Sequence, residues 1–393
     1  MLANRLAIAL CAAHVPRRVQ LLGTHLSSSH VKPMRASRPM LIVLATMLLV
    51  GRRTTPAQNS PITLSLSRAD WVSANAFSTL NSIRVLSNGM VLAVDGREVE
   101  VQLLDATGKT VRQIGRKGSG PSEYTMPTVL IALPNDSTLL IDRDARRFLI
   151  IDPRGQITKT EPIAPALSAF TDVMIGADPT GRLLFGRKMA GGPEFASAAQ
   201  PIGRWTRGTD SFETVTMFRA EDPTPRPVDL KTPGYKNFVG QSREVFAAVD
   251  DWVPAPSGRI AILHAIPYRV DWVETNGKTT IGTAVTVTRV PVNELDKKQY
   301  EPQGPPYKRN YAKVKSPFMI EFAVVDDQDN VWVPRWEAAG AKRRRWDVFS
   351  ATGTLRGTAL LPIERRLMTI TAQHAYVRYI DSDGLQWIER YAR

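Results

Sequence analysis

Short apolar runs separated by turn residues dominate the chain from about residue 80 onward. Residues 83–86, 91–94, 99–104 and 111–114 are rich in Val, Ile and Leu, and Asn88-Gly89 lies between the first two. Runs of that length predict an antiparallel meander of short strands, and Asn-Gly suits a tight hairpin because both residues accept positive φ. A second turn of the form acidic or polar-x-x-Gly, Asp105-Ala106-Thr107-Gly108, follows about 19 residues later. The same two beats return at Asp136-Ser137 and Asp152-Pro153-Arg154-Gly155, at Ser257-Gly258 and Glu274-Thr275-Asn276-Gly277, and at Asp329-Asn330 and Ser350-Ala351-Thr352-Gly353. Repetition at this period points to a solenoid or a propeller.

First turns fall near residues 89, 137, 181, 258, 330 and 374, so six units are expected. The last holds only three strands, at 367–371, 376–380 and 386–391. Residues 62–66 (ITLSL) alternate apolar and polar and belong to no other unit, so they are expected to pair beside 386–391. That closes the ring and removes exposed sheet edges. The expected fold is therefore all-β: a six-bladed β-propeller of four-stranded antiparallel blades, formed by residues 58–393 as a single domain and closed by an N-terminal strand.

The phrase Ile114-Gly115-Arg116-Lys117-Gly118-Ser119-Gly120-Pro121-Ser122-Glu123-Tyr124, with blades shaped like Asp329-Asn330-Val331-Trp332-Val333, resembles the bacterial six-bladed β-propellers related to NHL repeats. The resemblance spans roughly residues 60–391. In those proteins the Gly-x-Gly-Pro phrase usually continues with Gly and ends in Phe; Ser122 and Tyr124 hold those places here. The resemblance implies an exported protein and brings no catalytic residues with it.

Composition changes this picture little. Of 393 residues 43% are apolar and 22% charged, as in an ordinary globular protein. The formal charge of +14 invites a nucleic-acid reading, but residues 1–57 hold eight Lys or Arg and no Asp or Glu, and taking those eight away leaves +6. No nucleic-acid partner is expected. Residues 40–50 (MLIVLATMLLV) form an apolar run preceded by Arg35 and Arg38 and followed by Thr55-Pro56-Ala57, which is the outline of a secretory signal cleaved before Gln58. The run is shorter than the roughly 20 residues a spanning helix needs. A secreted or periplasmic protein is expected, with an uncleaved membrane anchor as the alternative reading. Cys11 is the sole cysteine and lies in the leader, so disulfides and Cys chemistry are excluded from the mature part.

In a propeller whose strands run from channel to rim, the turns between first and second and between third and fourth strands share one face. The connections between second and third strands, and from one blade to the next, share the other. The long connections fall on that second face: inter-blade segments near 218–245 and 286–318, and loops near 186–199 and 334–345. Insertions in repeat proteins gather on the working face. Candidate ligand-binding residues there are Arg116, Glu123, Tyr124, Arg143, Asp172, Glu321, Lys342, Arg343, Arg344 and Arg345, with Arg147, Lys188, Lys236, Lys308 and Arg309 on the same side.

The remaining motifs carry bland readings. The glycines at 115, 118 and 120 follow a strand, but Pro121 follows and no helix begins there, so an inter-blade turn is expected rather than a phosphate cradle. Residues 326–330 (DDQDN) lack a recognised Ca²⁺-loop spacing and read as a polar turn. His264 and His374 fall in different blades and read as structural or surface residues, and no Gly-x-Ser-x-Gly occurs. The favoured function is a monomeric, non-enzymatic binding or scaffold propeller without cofactor, for a peptide, glycan or protein partner. The alternative is a lactonase-like or lyase-like enzyme, similar to six-bladed hydrolases with one divalent cation such as Ca²⁺ in the channel. Glu123, Asp172, Asp251 and Glu321 stand near the starts of innermost strands as its ligands.

Overall fold

Among the described residues, five second strands of the repeats are rich in apolar side chains: Val91–Asp95, Thr138–Asp142, Leu183–Phe185, Ile260–His264 and Val331–Pro334. All of their residues are buried except His264. A strand buried on both faces loses the apolar–polar alternation of a half-exposed one. Each of these strands must therefore lie between two other layers, which a ring of radially stacked sheets provides. The computed structural model describes residue 64 and residues 66–393, except 166, 168–173, 187–198, 219–225, 228–240, 243 and 301–309.

Six four-stranded antiparallel sheets form the ring. Their innermost strands are Leu80–Val85, Pro127–Ala132, Met174–Ala177, Asp251–Pro254, Val324–Val325 and Arg365–Ile370. Each touches the next around the channel, and the sixth touches the first. This is the six-bladed propeller expected from the turn count. Outer strands such as Thr110–Gln113 and Ile157–Pro162 are largely exposed.

The acid-x-x-Gly turns work by one mechanism. The Asp105 carboxylate accepts from the backbone N–H of Thr107 (2.8 Å) and Lys109 (3.1 Å), and Asp152 does the same for Arg154 and Gln156. Ser350 repeats this with its hydroxyl. Gly108, Gly155 and Gly353 take φ of 84°, 76° and 71°, a region a side chain would strain. Arginines then bond one blade to the next. Arg259 reaches Glu274 in its own blade, Asp329 (3.2 Å) and the Ala351 carbonyl (3.0 Å) in the fifth, and stacks over Trp272. Arg84 meets Asp136 at 2.9 Å between the first and second.

The sixth sheet differs in one respect from expectation. Its fourth strand does come from the N-terminal side, but it is Trp71–Val72, paired antiparallel with Arg390 and Glu389. Leu64 and Leu66, the described residues of the segment expected to close the ring, are not in that strand. Leu64, buried at 7% exposure, packs with Trp346, Leu361, Leu367 and Val377 between the fifth and sixth blades, and Leu66 adds to the same cluster. Ile62, Thr63 and Ser65 lie outside the described residues. The two described leucines of the alternating pattern serve packing between blades.

Trp71 meets the Tyr376 ring edge-on at 6.1 Å and lies under Arg390, and a Cβ placed on Gly108 would stand 2.5 Å from it. Trp71→Ala is expected to lower unfolding stability by about 2 kcal/mol, less than full burial would give because the indole is partly exposed. Val72→Ala, at an exposed position of the same strand, should change it by less than about 0.5 kcal/mol. Urea titration of both variants checks the closure; equal, negligible effects would contradict it.

Candidate ligand-binding face

Two of the long connections are stitched together on the face where they were expected. Val245 donates to the Asn310 carbonyl (2.8 Å), Ala312 to Val245 (3.0 Å), and Ser316 to Phe246 (2.9 Å). Residues 281–323 then carry the helix Glu294–Gln299, begun by a capping box in which Asn293 and Asp296 each accept the other's backbone N–H. The second Asp296 oxygen accepts from Lys315 Nζ at 2.6 Å, and Nζ also donates to the Glu337 carbonyl at 2.6 Å. Lys315 and Asp296 are both buried, and the ammonium lies over the Phe246 and Trp336 rings. A buried charge is kept only when paired and hydrogen-bonded, and here one pair pins the connection to the fifth blade's loop. Together they enclose a cavity of about 570 Å³ lined by Tyr300, Lys315, Trp336, Lys342 and Arg344. A second cavity of about 410 Å³ occupies the channel, where Asn81, Leu130, Val253, Glu321 and Arg366 come from five blades.

The sequence candidates divide sharply. Lys342, Arg343 and Arg345 are exposed beside the first cavity, while Arg344 is half-buried and burial pushes its guanidinium below its ordinary value. Trp346, next in the run, is fully buried between blades five and six. Glu321 lines the channel cavity with a φ of 66°. Arg143 is 41% exposed and donates to Met126 Sδ. Tyr124 is a correction: it is fully buried between the first two blades, its hydroxyl accepting from Val101 N at 3.0 Å, and burial pushes its pKa up. It fills the space a Phe would fill and gives its oxygen to a backbone amide, so it is not a ligand-facing residue.

The glycine-rich phrase is an inter-blade turn. Residues Arg116–Lys117 and Glu123–Tyr124 pair in parallel, and Glu123 accepts from Gly120 N (2.8 Å) and from Arg116 Nε (2.8 Å). Those two bonds hold its carboxyl below the usual range. Arg147, anchored on Asp142, donates to the carbonyls of Gly118, Ser119, Gly120 and Glu123. Asp251 is buried and accepts from Glu321 N (2.6 Å) and Trp252 N (2.8 Å). Asp172, Lys188, Lys236, Lys308 and Arg309 lie outside the described residues. Of the four acids read as metal ligands, Asp251 spends its carboxylate on the backbone amide of Glu321, and Glu123 stays at the inter-blade turn. Among the described residues no three His, Cys, Asp or Glu side chains converge. Asp326 accepts from Gln328 N, Asn330 N, Trp332 Nε1 and Arg393, the arrangement of a polar turn.

Buried acids repeat at the ends of second strands. Asp95 accepts from Ser78, Thr79, Arg97 and Glu98 amides, and Asp142 from Thr125 and Met126, each tying its blade to the incoming chain. In the fourth blade the acid and its partner change places. His264 ends the strand, with Nδ1 2.7 Å from Asp250 on the incoming chain and Nε2 3.0 Å from Asp271. Its two carboxylates were not foreseen from the sequence.

Searched against protein-family models, the chain matches none, and no curated protein matches its sequence. Solved structures similar to it include a candidate exported protein of Bacteroides fragilis (12% identity, 84% of this chain and 99% of that one, TM-score 0.44). A DUF4221 family member from Bacteroides vulgatus overlaps 83% of this chain and 98% of its own at 8% identity and TM-score 0.49. A calcium-binding regucalcin from Agrobacterium tumefaciens overlaps 83% and 96% at 12% identity and TM-score 0.40. At these values the strand pairing, not the likeness, carries the architecture. No described helix is long and apolar enough to cross a membrane.

Burial alone would lower the His264 pKa, but the Asp250 hydrogen bond and the charges of Asp250 and Asp271 more than offset it, leaving it above 6.5. Folding therefore favours the protonated ring. Its contribution should be fully present below pH 6.5 and fade as pH rises through the higher folded value. His264→Gln is expected to flatten the stability profile in that window; an unchanged profile from urea unfolding at stepped pH would contradict the pairing.

Proposed function

We propose that this chain is an exported, non-enzymatic binding propeller that holds a peptide, glycan or protein partner on the face of its long connections. One observation carries the reading: a capping box at Asn293 and Asp296 and a buried Lys315–Asp296 pair hold the helix Glu294–Gln299 and Tyr300 as part of the wall of a polar cavity. Loops that merely drift in solvent have no reason to bury an ion pair. The channel cavity lies in the size range of ligand pockets, about 300–1,000 Å³. Exposed Lys342, Arg343 and Arg345 at the rim favour acidic partners through contacts that salt screens, since the screening length falls from about 10 Å at 0.1 M to about 3 Å at 1 M. Export is supported by the signal-like segment at residues 40–57.

Acidic-peptide and acidic-glycan arrays probed with the purified protein test this. Bound members should lose roughly tenfold in affinity in the triple Lys342→Ser, Arg343→Ser, Arg345→Ser variant, at about 0.5 kcal/mol per exposed charge. Lys278→Ser, exposed on the opposite face, should leave them unchanged. The reverse ranking would move the working surface to the short-turn side.

A further inference from the structure

Partly buried arginines in this protein are, as a rule, bound to carboxylates: Arg84 to Asp136, Arg147 to Asp142, Arg259 to Glu274, Arg335 to Asp347, and Arg365 to Glu389. Arg289 bonds the Val314 and Lys315 carbonyls instead, and three others among the described residues stand apart. Arg366 and Arg378 are register partners on the first and second strands of the sixth blade, and Arg344 lies on the third strand of the fifth. The Nε of each is buried without a hydrogen-bond partner, and none of the three forms an ion pair among the described residues. Arg366 lines the channel cavity and Arg344 the loop cavity.

The surroundings single out Arg366. Its guanidinium lies 3.9 Å from the Phe322 ring centroid, which fixes its plane. Burial and the positive charges of Arg378 and Arg344 push its pKa down to about 9, against the opposing charge of Glu321. Arg344 has Tyr300 and Glu337 as its electrostatic neighbours, but Glu337 Oε1 accepts from Arg345 N. Three like charges gathered in a partly desolvated place destabilise the fold unless something neutralises them. Guanidinium groups bind oxyanions in a planar, charge-assisted fashion.

We propose that Arg344, Arg366 and Arg378 form a binding site for an oxyanion, a carboxylate or a phosphate or sulfate group of the ligand, between blades five and six. This rests on the binding-face reading above and names the ligand group that the face selects. Glu321 at the channel mouth sets a limit on the site: it opposes a second negative charge close to Arg366.

Thermal melting of the purified protein with sodium phosphate, sodium sulfate or sodium citrate, each against sodium chloride at matched ionic strength, tests the site. At least one oxyanion should raise the melting temperature along a saturating curve that chloride does not reproduce. A response to citrate alone assigns a carboxylate, and a response to phosphate or sulfate assigns a tetrahedral group. Arg366→Gln should abolish the saturable rise and, without anion, melt at or above the parent because a repelled charge is gone. Arg378→Gln gives the same readings should the first variant fold poorly. Absence of any saturable, anion-specific rise would overturn the proposal, as would Gln variants that melt lower yet keep the full response. If array partners still depend on Lys342, Arg343 and Arg345 while no oxyanion acts, the anion site falls and the binding face stands.

Discussion

Everything in this molecule follows from the double-sided burial of its second strands. Five consecutive buried residues, as in Val91–Asp95 and Thr138–Asp142, cannot face water on either side, so no blade is stable without neighbours on both flanks. Stacking satisfies that demand for every blade only if the row returns to its start. The packing of the first innermost strand against the sixth is that return. Channel, faces and loop positions are consequences of the closure.

Hydrophobic stacking has no direction, and polar groups supply it. Carboxylates at strand ends take up backbone amides of the incoming chain, as Asp95 and Asp142 do, and arginines on the short-turn face bind acids and carbonyls of the adjoining blade. Both devices give the charges they bury a partner. That general pairing makes Arg344, Arg366 and Arg378 conspicuous, because the same chain that matches Arg335 with Asp347 leaves these three facing one another's charge.

The repeat count and the faces were legible in the sequence because they rest on local chemistry: an acid or hydroxyl that caps two amides, a Gly at positive φ, and a run of β-branched residues. What failed was whatever depends on distant partners. A two-residue strand, Trp71–Val72, has too little pattern to be seen, and the clearer alternation at 62–66 drew the closing role to itself. Tyr124 read as part of a surface motif because nothing nearby reveals that its hydroxyl meets Val101, 23 residues away on the third strand of the first blade. Arg366 and Arg378 lie in different strands and become neighbours only through register, while Arg344 was named only as one member of a basic run whose other members point to water.

The ring is joined by unequal seams. Most blades are bounded by four strands of their own, whereas the sixth borrows two residues, Trp71 and Val72, to cover its outer edge. Local opening begins where the least packing holds an element in place, and a two-residue strand drawn from the other end of the sequence makes the sixth blade a latch of the propeller. Arg366 and Arg378 sit on that same blade. An anion bound at the proposed site would tighten that latch, so occupancy of the site and integrity of the ring would be parts of one equilibrium.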